Sequence, residues 1–376
     1  MPVTRPSHVH RSVAANHVTS YNVVGGTVGD GSVAAAVGGR PALVVTSPTA
    51  GRLYAPAVVG ELAAAGGDVA TFTVASGEGD KTMAKVESIC AEAVRLGIGR
   101  DGVLVGVGGG VLTDLVTMAA SLVKRGIGYV RVPTTLVGLI DAGIGVKGAV
   151  NAFGRKSALG CFHAPDAVVL DPATLATLPR PHLRYGLAEM VKIALVKDGS
   201  AFEDLERSGA ALLDGRLTGG ARRAIWTAVG LLLDELEPNL YETETYRRLA
   251  DFGHTFSPAV EAASGFQIHH GDAVALDMAL STAVAQRLSL VTATDAGRVY
   301  DLLERLELPL CSPHLGLEAC EASVAEAVAH RGGRLHLVVP AGIGTGRFLE
   351  AADLDATLLT AALGDVAARG TTRAAA

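Results

Sequence analysis

VLVGVGGGVLTDLVTMAASLV, residues 103–123, changes its period halfway along. Val103–Val107 is a strand-like apolar run, Gly108-Gly109-Gly110 breaks it, and the residues after Val111 return apolar side chains at helical spacing. A strand, three glycines and a helix form a concave turn whose free N–H groups and positive dipole end suit a phosphate. A plain strand-to-helix turn accounts for the glycines as well, because GGG is not GxGxxG. Downstream, YVRVP (129–133) reads as a second strand, followed by Thr134-Thr135 and by DAGIGVKGAVNAFGRKSALG (141–160), dense in glycine and charge. Asp141, Lys147, Arg155 and Lys156 stand between small residues there, which lets a ligand approach the backbone. The bland alternative is a solvated charged loop.

Working outward, strands near Tyr21–Val24, at ALVVTS (42–47) and at Val69–Ala75 alternate with helical patterns at Leu53–Ala65 and Lys81–Leu96. This alternation predicts a parallel sheet covered on both faces. Ligands collect outside the carboxyl ends of such strands. The turns Thr46-Ser47-Pro48, Gly77–Lys81 and the triple glycine therefore converge. Glu78 or Asp80 is a candidate for a ribose hydroxyl; for Asp80, helix N-terminal charge is the better account. Beyond Asp171 the pattern changes. Helical spacing runs through Leu175–Leu213, Thr218–Leu236, Tyr246–Ala263, Ala273–Leu288 and Asp295–Leu306, and only Leu335–Pro340 and a short run near Phe348 look extended. The expected organisation is a loose segment 1–18, an α/β parallel-sheet nucleotide-binding domain 19–175, a mainly α-helical metal- and substrate-binding domain 176–368, and a loose tail 369–376. The two domains are expected to pack around one cleft.

A chain of 376 residues favours two domains, and 49% hydrophobic with 19% charged residues describes a globular enzyme-sized protein. A net charge of −6 gives no general pull toward nucleic acid or anionic membrane. No apolar run reaches bilayer length and the N-terminus lacks the apolar core of a secretory signal, so the expected address is cytoplasmic. Cys90, Cys161, Cys311 and Cys320 show no paired metal spacing and read as reduced thiols.

The helices carry the chemistry. Glu189 and Lys192 in RYGLAEMVKIAL share a helical face, His254 follows Asp251 in DFGHTF, and His270 precedes a helix start in HHGDAV. One carboxylate and two imidazoles from three segments make a His₂Glu set with a position open for water or substrate. Each residue alone has a duller explanation, a salt-bridged glutamate or a capping histidine.

The order GEGDK (77–81), GGGVLTD (108–114), KRG (124–126), VPTTL (132–136), DAGIGVKGAVN (141–151), GRKS (154–157), GLAEMVK (186–192), DFGHTF (251–256) and HHGDAV (269–274) resembles the sugar phosphate cyclases of the dehydroquinate synthase superfamily. The resemblance implies NAD⁺, one divalent cation (Zn²⁺ or Co²⁺), a small sugar phosphate as substrate, and a homodimer. By position it implies a nucleotide pocket of Ser47, Glu78, Lys81, Gly109, Gly110, Val111, Asp114, Thr134, Thr135, Asp141, Lys156, Thr174 and Thr177. It implies Glu189, His254 and His270 as metal ligands. It also implies Arg125, Asp141, Lys147, Lys156, Ser157, Lys192, Glu237, Arg247, Asp251, Pro258 and His330 at the substrate, with Lys147, Lys192, Arg247, Asp251 and His330 catalytic. The implied reaction is transient oxidation, phosphate elimination, reduction, ring opening and intramolecular aldol closure.

The chain departs from dehydroquinate synthase where that enzyme has GKN and NxGHTFGH, showing Arg155-Lys156-Ser157 and Asp251–Pro258 instead. His330 and Glu237 stand where lysines are usual. These losses remove partners for a substrate carboxylate and resemble the branch acting on sedoheptulose 7-phosphate. Asp251 and His330 resemble 2-epi-5-epi-valiolone synthases, whereas Glu237 is more like desmethyl-4-deoxygadusol synthases. Asp272, in place of a usual glutamate, is a smaller departure. An iron-type alcohol dehydrogenase would share the layout, but the lysine-bearing 141–157 run and Glu189 speak against it. A non-catalytic sugar-phosphate binder would be expected to have lost metal or nucleotide residues.

Overall fold

The computed structural model describes residues 19–330 and 333–374. The segment 1–18 expected to be loose lies outside the described residues, as does the side chain of His330. Six strands form one parallel sheet: β1 (Asn22–Gly25), β2 (Ala42–Thr46), β3 (Val69–Thr73), β4 (Val103–Gly108), β5 (Gly128–Pro133) and, after a hairpin of β6 (Lys147–Ala152) and β7 (Arg155–Phe162), β8 (Ala167–Leu170). Their order is β1-β8-β5-β4-β2-β3. The central strands β2 and β4 are buried along their whole length, which is why they read as continuous apolar runs. Alternate side chains serve two cores. Leu43, Val45 and Leu104 pack on one side, and Val44, Val103 and Val105 on the other. The crossovers are α1 (Ser32–Val37), α2 (Pro48–Leu53), α3 (Ala55–Ala64), α4 (Met83–Arg95) and α5 (Gly110–Leu122).

The second half is helical: α6 (Arg180–Lys197), α7 (Gly199–Leu213), α8 (Gly219–Leu236), α9 (Ser257–Ala263), α10 (His270–Arg287), α11 (Ala293–Arg305), α12 (Leu317–His330) and α13 (Ala356–Ala374). A small antiparallel pair, β9 (Leu337–Pro340) and β10 (Gly346–Leu349), lies beside them. The helices α6 and α10 are buried on nearly all sides and form the centre of this half. None of the described helices is long and apolar enough to cross a membrane. The four cysteines are unpaired.

Several elements differ from the sequence reading. The glycine-rich 141–160 run is a hairpin. Ala152 pairs with Arg155 across Phe153-Gly154, both at positive φ (55° and 71°), the type I′ geometry. Tyr246–Ala263 is not one helix. A 3₁₀ turn at Leu249–Asp251 ends at Gly253 (φ 76°), and α9 starts afresh with Pro258 in its first turn. Leu175–Leu213 breaks at Asp198, whose carboxylate caps α7 through Ser200 and Ala201 N–H. The tail expected to be loose from 369 is helical to Ala374, with Arg369 pairing to Asp301 at 2.5 Å.

Candidate active site

A cavity of about 730 Å³ lies between the carboxyl ends of the sheet and the helices α6 and α10. Its sheet-side wall begins at the triple glycine. Gly109 caps α5 without a side chain, and a Cβ there would stand 2.9 Å from Thr135 Cγ2, so glycine is required by space. The first N–H groups of α5 face this wall with no side-chain cap, an arrangement suited to an anion. One turn on, Asp114 meets Lys81 Nζ at 2.5 Å. Burial pushes the Asp114 carboxyl up, and Lys81 pulls against that shift. The β6–β7 hairpin docks here: Asn151 N–H donates to Lys81 O (2.7 Å), Asn151 Nδ2 donates to Glu78 Oε1 (3.0 Å), and Lys81 Nζ donates to Ser157 Oγ (3.1 Å). Behind the wall Arg131, fully buried on β5, donates to Gly143 O (3.2 Å), Lys147 O (2.8 Å), Thr117 Oγ1 (2.5 Å) and Gly145 O. That buried guanidinium holds the turn from which Lys147 projects.

The helical wall brings Glu189, His254 and His270 together, with one ligand atom of each within 4.8 Å of the others. The geometry follows from local packing. Phe252 and Phe256, both fully buried, anchor the turn that carries His254. Asp277 of α10 accepts the N–H groups of Thr255 (2.8 Å), Phe256 (2.5 Å) and Ser257 (3.1 Å), fastening that turn to the helix that begins with His270. A Cβ on Gly271 would lie 2.4 Å from Tyr185 Cα, so α10 meets α6 backbone to backbone just where Glu189 sits one turn on.

Both imidazoles are oriented by their Nδ1 atoms. His254 Nδ1 is 3.1 Å from Phe252 O and His270 Nδ1 is 2.9 Å from Glu261 Oε1. Their Nε2 atoms turn toward Glu189 Oε1, at 3.9 and 3.2 Å. Burial, aided by Lys192, pushes His254 down to about 4, leaving a neutral ring with a lone pair to give. Burial lowers His270 as well, but bonds to Glu189 and Glu261 outweigh it and bring the ring to about 9. Glu189 is desolvated, yet Lys192 and the two histidines hold it well below the carboxylate range. Both its oxygens are buried without a well-aligned hydrogen bond, although Lys192 Nζ stands 2.6 Å from Oε2. Two convergent Nε2 atoms and an ionised carboxylate with unsatisfied oxygens fit a divalent cation.

Most of the residues expected at the site line this cavity: Glu78, Lys81, Gly109, Gly110, Val111, Asp114, Thr135, Asp141, Lys147, Lys156, Ser157, Lys192 and Asp251, besides His254 and His270, with Glu189 buried behind them. Others lie elsewhere. Ser47 caps α2, Thr174 and Thr177 bond within the turn after β8, and Thr134 is buried outside the lining. Arg125 is exposed at φ 69°, Glu237 is exposed after α8, and Pro258 is exposed on α9. Arg247 lies outside the lining, its guanidinium over the Phe348 ring at 4.6 Å. The neighbouring Arg248 does line it, paired with Asp251 at 2.5 Å and with Glu242, which also pairs with Lys147. Burial and Arg248 push Lys147 down to about 8. Sequence reasoning missed Arg248, Glu261 and the aromatic group His182, Tyr185 and His269 in the lining, and Glu242 behind Lys147 and Arg248. The one available signal was Glu261, seven residues after His254.

A parallel sheet with an anion-ready turn, facing a buried His₂Glu set across one cleft, defines a two-domain enzyme class that pairs a nucleotide with a metal. The chain belongs to the 3-dehydroquinate synthase family: its N-terminal family matches residues 71–185 and its C-terminal family residues 186–328. A relative from Streptomyces glaucescens, 2-epi-5-epi-valiolone synthase, is 44% identical over 89% of this chain and 87% of its own. The solved structure of ValA (2-epi-5-epi-valiolone synthase) from Streptomyces hygroscopicus subsp. jinggangensis 5008, with NAD⁺ and Zn²⁺ bound, superposes with a TM-score of 0.90 at 40% identity, covering 95% of this chain and 99% of that one. A demethyl-4-deoxygadusol synthase from Trichormus variabilis is 35% identical over 86% of this chain and 80% of its own.

Proposed function

We propose that the protein cyclises sedoheptulose 7-phosphate to 2-epi-5-epi-valiolone and releases phosphate, working in the cytoplasm as a homodimer with NAD⁺ and one Zn²⁺ or Co²⁺. The observation that carries this reading is the meeting of His254, His270, Lys192 and Lys147 in the cavity that the Gly109 turn also lines, with the buried Glu189 directly behind the two histidines. Its bound cofactors would supply a reversible hydride acceptor and a Lewis acid for a ring carbinol.

The chain's own residues do the rest. Glu189 and the two Nε2 atoms hold the cation. The N-terminus of α5, with Lys81, Asp114 and Glu78, takes the nucleotide. Lys147 and Arg248 bind the sugar's phosphate through charge-assisted bonds and keep it in place while it leaves, its own oxygen taking the acidified C–H proton. Lys192, beside Glu189, donates to the oxygen at the centre of the redox step. Asp141 and Asp251 accept bonds from ring hydroxyls. Desolvating a substrate carboxylate beside Asp251 would cost several kcal/mol, which favours the neutral hydroxymethyl end of sedoheptulose 7-phosphate. The names of the two Streptomyces relatives above agree with that choice.

The test offers purified protein, with NAD⁺ and Co²⁺, sedoheptulose 7-phosphate and the dehydroquinate precursor side by side, and identifies the product by NMR. 2-epi-5-epi-Valiolone with stoichiometric phosphate is expected. Preferred turnover of the dehydroquinate precursor overturns the carboxylate argument, and formation of desmethyl-4-deoxygadusol moves the product to the alternative.

A further inference from the structure

Glu261, on α9 and only 5% exposed, touches both walls of the cleft. Its Oε2 accepts from Lys156 Nζ at 2.6 Å, and its Oε1 faces His270 Nδ1 at 2.9 Å. Lys156 comes from the β6–β7 hairpin, which packs on α5 of the sheet half, while His270 opens α10 in the helical half. An ionised carboxylate only accepts, so His270 must carry a proton on Nδ1 toward Glu261, which leaves Nε2, 3.2 Å from Glu189 Oε1, as the nitrogen that faces the cation site. The same group sets the place of a lysine that lines the cavity from the hairpin packed on α5.

We propose that Glu261 is a positioning residue that fixes the tautomer of His270 for the cation and, through Lys156, couples cation binding to dinucleotide binding. This rests on the cofactor reading above. A carboxylate behind a ligating histidine orients the ring and raises its basicity. Here one carboxylate serves that role while holding the opposite wall, so each cofactor finds the other's site better arranged.

The experiment titrates metal-free protein with Co²⁺, followed by visible absorption, with and without saturating NAD⁺, in wild type, Glu261→Ala and Glu261→Gln. In wild type NAD⁺ should tighten Co²⁺ by about fivefold or more, and Co²⁺ should tighten NAD⁺ by the same factor. Glu261→Ala should weaken Co²⁺ by about 10–100-fold. Glu261→Gln keeps an amide oxygen for Nδ1–H but turns an NH₂ toward Lys156. It should therefore lose less Co²⁺ affinity than Glu261→Ala while losing the effect of NAD⁺. A mere ion pair between the halves would lower the melting temperature in both variants and leave these affinities alone. Unchanged Co²⁺ affinity in Glu261→Ala, or a surviving NAD⁺ effect in Glu261→Gln, overturns the proposal. If Glu261→Ala does not fold, the Gln variant decides. Wild type that binds no Co²⁺ at all overturns the metal reading itself; wild type that binds it without any NAD⁺ effect overturns only the coupling.

Discussion

His254 gives its Nδ1 to a backbone carbonyl, and burial keeps the ring neutral, so Nε2 is the only nitrogen left to bind anything. His254→Ala is expected to lose bound Zn²⁺ or Co²⁺ and activity while circular dichroism stays native; stoichiometric metal in that variant would refute the assignment. The Glu189, His254 and His270 set was legible because the residue types and their flanking motifs are specific together. Arg248 was not. Choosing between adjacent arginines needs the phase of the backbone, and these two lie in irregular backbone just before a 3₁₀ turn rather than in the helix their spacing suggested. Arg248→Ala should lower kcat/KM for the sugar phosphate by about 10–100-fold, the worth of one charged hydrogen bond of roughly 1.5–3 kcal/mol. Arg247→Ala, which loses a stacking contact on Phe348, should cost less; the reverse ranking would return the phosphate role to Arg247. Lys147 carries its charge below about pH 8 and loses it above. Hence kcat/KM should fall as pH rises through 8 to 9, and the fall should be absent in Lys147→Arg, whose guanidinium stays charged.

The two helices that carry the cation set are brought together by a glycine. Gly271→Ala would drive a methyl into Tyr185 Cα, and the overpacking should cost about 1–3 kcal/mol while spreading Glu189 from His270. Loss of Co²⁺ affinity larger than the loss in melting temperature explains is the expected signature; native affinity would mean the helices can slide. At this scale the sequence was readable wherever an element is long and one-sided, as for β4, α5 and α6. It was unreadable at the β6–β7 hairpin, where Phe153 takes the left-handed position that asparagine or glycine usually marks. Glu261, though its spacing from His254 was a signal, went unread for a related reason. A glutamate on a short helix reads as surface charge until α9 is seen turned inward.

Seen whole, the cleft has one wall for a nucleotide and one for a cation, which suits a reaction that oxidises and then reduces the same molecule. NAD⁺ should therefore be needed only in catalytic amount; NADH accumulating with product would rule the cyclisation out. The two-domain plan was legible from the change of pattern after Asp171, since sheet and bundle bury apolar residues at different periods. A single cleft was expected as well, but which side chains meet across it was not legible, because spacing along a chain carries no distance across it.

Glu242 sits in the left-handed region at φ 56° and already pairs with both Lys147 and Arg248. An anion entering this pocket does not meet vacant cations; it must evict a resident one. With Lys147 and Arg248 taking the sugar's phosphate as proposed, its uptake would be an exchange, and its affinity the difference between two anions. The same exchange runs backwards once the bond to carbon is cut, with the tethered carboxylate returning to push inorganic phosphate out. Glu242→Gln should then hold inorganic phosphate more tightly and turn over more slowly at saturation, even as its KM falls.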